Sequence, residues 1–283
     1  MAFNEEKSKV SITGLDSKTE NLLFLADYFN CCIKEFKLST RSFTRVYQSD
    51  WCVAAIKTLK NIEPKQDLIA TMECKTERNS NFCRVRISQK RAQGMYVPIQ
   101  ENFITEKSGS LTASIVERGN GHILCAFPGF TNVYEIFHKN QTEKLPILKS
   151  HPLPGSFFSM CLARINENEH LIVSLSDRTV RDFVIDQNNL KELSKLDLPN
   201  NIYSLYWDIE KSVLLVFNFQ KGNRKINEFH YEMNRITMSK EFTLEGTSEL
   251  RIFCWTKFGK DLFPVVDWNS EGLMIFNMSD NKN

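Results

Sequence analysis

The stretch Leu22-Leu23-Phe24-Leu25-Ala26-Asp27, a short polar turn, and then Ile33-Lys34-Glu35-Phe36 sets a phrase that the rest of the chain repeats. An apolar run of strand length leads through turn residues to a β-branched or apolar residue and an anchoring hydrophobe. The phrase returns as Leu68–Met72 to Cys83–Ile87, Ile123–Phe127 to Val133–Phe137, and Leu171–Leu175 to Val180–Phe183. Two more copies follow, Val213–Phe217 to Ile226–Phe229 and Leu262–Val266 to Leu273–Phe276. The anchors Phe36, Ile87, Phe137, Phe183, Phe229 and Phe276 lie, by subtraction, 51, 50, 46, 46 and 47 residues apart.

A second series keeps step with the first. Segments mixing small and large residues precede each phrase: Val10–Ile12, Trp51–Ala54, Leu111–Ile115, Phe157–Cys161, Ile202–Tyr206 and Leu250–Trp255. Looser strands follow most phrases, at Ser42–Tyr47, Met95–Ile99, Leu145–Leu148, Leu190–Leu196 and Ile236–Phe242. Each repeat therefore holds four strands, named a, b, c and d in order. Four-stranded units at this spacing are propeller blades, which bury both faces only when stacked against neighbours.

The expected fold is all-β: a single domain over residues 1–283, a six-bladed β-propeller of four-stranded antiparallel blades. Its blades are placed at about 10–48, 51–103, 110–148, 157–198, 202–244 and 250–278. The stretch after Phe276 is short and polar, so closure of the sixth blade is expected to use a strand near Met1–Lys7. An α/β alternative would need amphipathic helices between strands, and only Val53–Leu59 and Asn189–Ser194 read that way, both short.

With 42% apolar and 25% charged residues, the chain has the composition of a globular protein. A formal charge of +2 gives no global electrostatic reason to bind nucleic acid or membrane. No apolar run is long enough to span a bilayer, and Met1–Lys7 has no signal-peptide pattern, so a cytoplasmic location is expected. None of the eight cysteines (31, 32, 52, 74, 83, 125, 161 and 254) forms a C-x-x-C pair, which predicts buried, reduced thiols. The adjacent Cys31-Cys32 could be redox-sensitive, but strand alternation points the two to opposite faces.

The first repeat, Leu25-Ala26-Asp27-Tyr28-Phe29-Asn30-Cys31-Cys32-Ile33-Lys34-Glu35-Phe36, resembles the NHL-repeat consensus at Ala26, Asp27, Asn30, Ile33 and Phe36, with Cys32 where an arginine is usual. The fourth, Ser174–Phe183, is similar to a WD-repeat phrase but lacks the Trp-Asp dipeptide. The NHL resemblance implies a six-bladed ring that recognises protein or single-stranded RNA.

No catalytic constellation stands out. The five histidines (122, 138, 151, 170 and 230) show neither H-E-x-x-H nor zinc spacing with cysteine; His122 and His170 share one repeat position and read as structural. There is no G-x-S-x-G and no phosphate-binding glycine loop. The carboxylates Asp208 and Glu117 lack a third ligand for the metal-dependent lactonase chemistry that some propellers host. No enzyme activity, cofactor or metal is therefore expected.

The turns between b and c should share one rim with the d–a connections, converging Tyr28, Phe29, Arg78, Phe130, Arg178, Arg224, Lys225 and Trp268. Interleaved cations and aromatics suit a protein or peptide partner, with single-stranded RNA as the alternative. Other basic residues, Lys57, Lys60, Arg84, Arg86, Lys90 and Arg91, fall away from those turns. The oligomeric state has no sequence signal.

Overall fold

The computed structural model describes residues 12–19, 21–59, 66–77, 80–104, 113–119, 121–138, 144–165, 168–186, 189–220, 223–232, 235–243, 262–267 and 272–277. Every named element among them is a β-strand. Blade 1 is β1 (Ile12–Thr19), β2 (Leu22–Asp27), β3 (Cys32–Lys37) and β4 (Ser42–Gln48). Blade 2 is β5 (Cys52–Leu59), β6 (Leu68–Glu77), β7 (Ser80–Lys90) and β8 (Tyr96–Ile104). Blade 3 is β9 (Ser114–Gly119), β10 (His122–Ala126), β11 (Asn132–Phe137) and β12 (Ile147–Pro152). Blade 4 is β13 (Phe157–Ile165), β14 (Asn168–Leu175), β15 (Thr179–Asp186) and β16 (Asn189–Asp197), and blade 5 is β17 (Asn201–Asp208), β18 (Val213–Gln220), β19 (Asn223–Glu232) and β20 (Arg235–Thr243). Each is an antiparallel meander with strands paired in chain order.

Among the described residues the chain is thus a β-propeller of five four-stranded blades, not the six expected. The sixth repeat appears as a two-stranded sheet, β21 (Leu262–Asp267) with β22 (Gly272–Asn277). The other strand expected before it, Leu250–Trp255, and the closing strand near Met1–Lys7 lie outside the described residues. The two segments with helical spacing, Val53–Leu59 and Asn189–Ser194, are both strand: the first within β5, the second within β16. Ladder pairing of β5 with β6 and of β16 with β15 overrides their short local pattern.

Burial falls from the middle of a blade to its outer edge. β2 is almost wholly buried, whereas β4 and β16 are mostly exposed. The apolar cores lie between blades. One cluster joins Met72, Val85 and Ile87 of blade 2 to Ile123 and Phe130 of blade 3; others join blades 3 to 4 and 4 to 5. Phe24 of blade 1 meets Tyr96 of blade 2 edge-on at 5.9 Å. In the third repeat the buried anchor is Ile136; Phe137, one residue on, is partly exposed and tilts against His122.

The innermost strands β1, β5, β9, β13 and β17 lie side by side in that order. Their small residues let backbones approach. A methyl group on Gly14 would sit 2.8 Å from Ala55 Cα and 3.1 Å from Ile56 N, both rigid backbone. Gly14→Ala must therefore push β1 from β5 and should cost about 1–3 kcal/mol, read as a lower urea midpoint with an unchanged slope. An unchanged midpoint would mean the two strands are not held that closely.

Buried carboxylates pin the seams. Asp16 on β1 accepts from Thr58 N at 2.7 Å and from Lys57 Nζ at 2.8 Å, both on β5. Asp182 of blade 4 accepts from the Tyr231 hydroxyl of blade 5 and lies 2.9 Å from His170 Nδ1. Glu135 is held by Arg118, His122 and His151, and Arg118 reaches on to Glu169 of blade 4. His122 and His170, at the same repeat position, both hold a carboxylate on strand c.

Candidate interaction rim

In blades 1, 3 and 4 the backbone ties the b–c turn to a d–a connection. Ser49 N donates to Cys31 O at 2.8 Å, Phe157 N to Phe130 O at 2.7 Å, Ser176 N to Ser156 O at 2.8 Å and Leu198 N to Arg178 O at 3.0 Å. Local polar contacts shape the turns. Asp27 accepts from Asn30 Nδ2 at 2.8 Å, and Asp177 accepts from Thr179 N at 3.1 Å and Thr179 Oγ1 at 2.6 Å. The two motif-like phrases are thus b–c turns closed by an aspartate.

Of the eight residues expected on this rim six are described, and two of those, Tyr28 and Phe130, are buried. Phe29 is 53% exposed, edge-on to Tyr28, which is itself buried with its hydroxyl against Cys74 Sγ. Burial, and next the hydrogen bond with Cys74, drives the Tyr28 phenol far above its usual pKa. Phe130 is fully buried, against Phe127 at 5.5 Å and Tyr134 at 6.0 Å. Arg178 is exposed in a left-handed turn with φ 65°. Lys225 is paired with Glu241 across β19 and β20 at 2.6 Å, and Arg224 sits two residues into β19, opposite Phe219. Arg78 and Trp268 lie outside the described residues.

The densest constellation lies on blade 2, around residues placed away from the turns by sequence alone. Glu73 on β6 is fully buried and accepts from Tyr47 Oη at 2.5 Å, Ser49 Oγ at 2.7 Å and Arg84 Nε at 2.8 Å. Arg84, nearly buried on β7, also bonds the Asp50 carboxylate. Arg86 reaches Glu101 at 2.7 Å and Asp50 at 3.2 Å. The Arg84 hydrogen bond holds the Asp50 carboxyl at a pKa of about 2, against a smaller opposing effect of burial. Burial, and then the Glu73 charge, push the Tyr47 phenol up to about 12.

Above these charges sits an aromatic layer. The Arg84 guanidinium lies 4.2 Å from the Trp51 ring centre, and Trp51 meets Phe103 at 5.8 Å. Phe103 is 51% exposed, and Phe82, two residues before Arg84 on the same strand and so on the same face, is 46% exposed. Three carboxylates (Asp50, Glu73, Glu101) against two guanidiniums leave one negative charge. Its exposed ends are Asp50 and Glu101, with side chains 67% and 41% exposed. Within this cluster of described residues the exposed charge is therefore carboxylate, set beside aromatic rings. The signal in the sequence was Asp50-Trp51 in a d–a connection, paired with arginines alternating along strand c.

Among the described residues, no group of three or more His, Cys, Asp or Glu could hold a metal ion. No helix there is long and apolar enough to cross a membrane.

No protein-family model matches the chain, and no curated protein matches it. Solved structures do. Raptor from Chaetomium thermophilum aligns at 13% identity and TM-score 0.62 over 96% of this chain, which spans only 24% of that one. A chain of a mitotic checkpoint complex aligns at 10% identity and TM-score 0.58, covering 98% of this chain and 99% of that chain. The PQQ-bound aldose sugar dehydrogenase of Streptomyces coelicolor aligns at 9% identity and TM-score 0.61, with 93% and 90% covered. At such identities the likeness establishes the propeller fold alone, shared by a chain of a protein complex and by an enzyme.

Proposed function

We propose that this chain is a non-enzymatic scaffold that docks a segment of another protein on the b–c/d–a rim of its second blade. The segment lays an apolar side chain on Trp51 and Phe103 and places a lysine or arginine beside Asp50 and Glu101. The observation that carries this reading is the exposed Phe103 beside the partly exposed Trp51, flanked by carboxylates that the buried Arg84 and the partly buried Arg86 already hold in place. Pre-positioned charge and rigid rings lower the ordering cost of binding. The likeness to a chain of a mitotic checkpoint complex supports it at the level of fold.

Random peptides displayed on phage and selected against the pure chain should be enriched for a cationic residue near a bulky apolar one. Phe103→Ala should weaken such peptides roughly tenfold and Asp50→Lys at least as much, as at other interface hot spots. Enrichment of acidic peptides that Arg178→Glu abolishes would instead favour the basic turns and overturn this placement. Single-stranded RNA fits less well, because its phosphates would meet Asp50 and Glu101 first.

A further inference from the structure

The seven cysteines of the described residues divide by exposure. Cys32, Cys74, Cys83, Cys125 and Cys161 are buried, whereas Cys31 and Cys52 are half-exposed. Those two meet: their Sγ atoms lie 3.6 Å apart, from positions 21 residues apart in the chain. Cys31 ends the b–c turn of blade 1, in a left-handed conformation with φ 50°. Its N–H donates to Tyr28 O at 3.2 Å, and its carbonyl accepts from Ser49 N at 2.8 Å and Gln48 Nε2 at 3.1 Å. Cys52 opens β5 directly after Trp51. A backbone bond thus holds the turn of one blade against the connection that leads into the next, with the two thiols in contact.

We propose that Cys31 and Cys52 are an oxidisable dithiol, which a low-molecular-weight disulfide such as oxidised glutathione converts to a disulfide clasping blade 1 to blade 2. The Cys52 thiolate attacks one glutathione sulfur, forming a mixed disulfide and releasing one glutathione thiolate. Cys31 then loses its proton and attacks the Cys52 sulfur, expelling the second glutathione thiolate. The two protons end on the two glutathiones, so the protein loses two hydrogens and the glutathione disulfide gains them. Closing from contact to a bond shortens the sulfur separation by about 1.6 Å, within reach of side-chain rotation and a small shift of the turn.

The order of attack follows from the surroundings. Burial, and then the hydrogen bond with Cys52, push the Cys31 thiol up to about 12, which makes it a poor first nucleophile near neutral pH. In the second step its partner is already in contact, which offsets a scarce thiolate. The adjacent Cys32 does not compete, being fully buried beneath the turn. This inference does not rest on the scaffold reading, since it concerns only the chain's own thiols.

The test treats the native chain with oxidised glutathione, traps free thiols with N-ethylmaleimide, and maps peptides without reduction. The expected result is one peptide pair joined through Cys31 and Cys52, two hydrogens lighter than its parts, with fragmentation and a Cys32→Ser variant assigning the sulfur. The link should vanish in Cys31→Ser and in Cys52→Ser. In the native chain it should raise the melting midpoint by about 5–10 °C, reversed by dithiothreitol, because the closed loop constrains the unfolded chain. A Cys31–Cys32 or Cys52–Cys74 link overturns the proposal. Stable glutathione adducts without a protein cross-link, or eight alkylated cysteines after treatment, do so equally.

Discussion

Replacing Glu73 with leucine should destabilise the chain by about 3–5 kcal/mol, among the largest losses any single substitution here produces. Glu73 has no exposed surface, and the guanidinium it holds is nearly as deeply placed. Leucine fills similar volume but leaves the buried Arg84 with only the exposed Asp50 and, at 4.0 Å, Glu101 as counter-charges. It also strips partners from the Tyr47 and Ser49 hydroxyls, both of which come from blade 1. The loss is therefore felt at the seam and not only within blade 2. Removing the charge on both sides separates the causes. Glu73→Leu with Arg84→Met should recover roughly half of the loss, since a buried pair replaced by apolar groups is far less costly than a pair broken. Urea melts of wild type, both single variants and the double variant close the cycle. Additive losses would show that the two side chains do not depend on each other. Because Arg84 also carries the Trp51 ring, the single variant should broaden the aromatic layer of the rim as well as weaken the fold.

Much of this architecture was legible in the residues, and the reasons differ by element. The b strands read clearly because Leu22–Asp27 and its repeats are apolar on both faces, as a strand enclosed between neighbouring blades must be. The five complete meanders follow from that period. The blade count did not: among the described residues the sixth phrase is the two-stranded sheet β21–β22, because a short apolar phrase by itself marks only a b–c hairpin. The rim was only half legible. That b–c turns and d–a connections converge is a property of the meander, and backbone bonds such as Ser49 N to Cys31 O express it. Which side chains face outward there is decided by partners far away in the chain. Arg84 and Arg86 alternate like solvated strand residues, yet a carboxylate 11 residues earlier and another 34 residues earlier draw Arg84 inward. Lys225 looked like a free cation until Glu241 came beside it across the next strand. Strand alternation already set Cys31 apart from its neighbour Cys32, but only the fold brings it against Cys52 on another blade.

Phe130 and Phe29 test the same distinction from the apolar side. Both are turn aromatics, indistinguishable by position in the repeat, yet one is fully buried and the other about half exposed. Phe130 closes the b–c turn of blade 3, its N–H donating to Phe127 O at 3.0 Å while its ring lies between Phe127 and Tyr134. The cluster it belongs to also contains Met72, Val85 and Ile104 of blade 2, so the ring is a wedge between blades as much as a turn residue. Phe130→Ala should leave a void that rigid strands on both sides cannot collapse into, costing about 3–5 kcal/mol, and Phe130→Leu should cost clearly less. Phe29→Ala, by contrast, should move stability by about 0.5 kcal/mol or less, as for most exposed positions. Chemical unfolding of the three variants measures all of these losses in one series. If Phe130→Ala melted like wild type, its ring would have to be available at the surface, and the packing of blade 3 against blade 2 would need another wedge. The difference between the two phenylalanines then fixes where the rim ends: a side chain whose removal opens the seam cannot also be the one a partner touches.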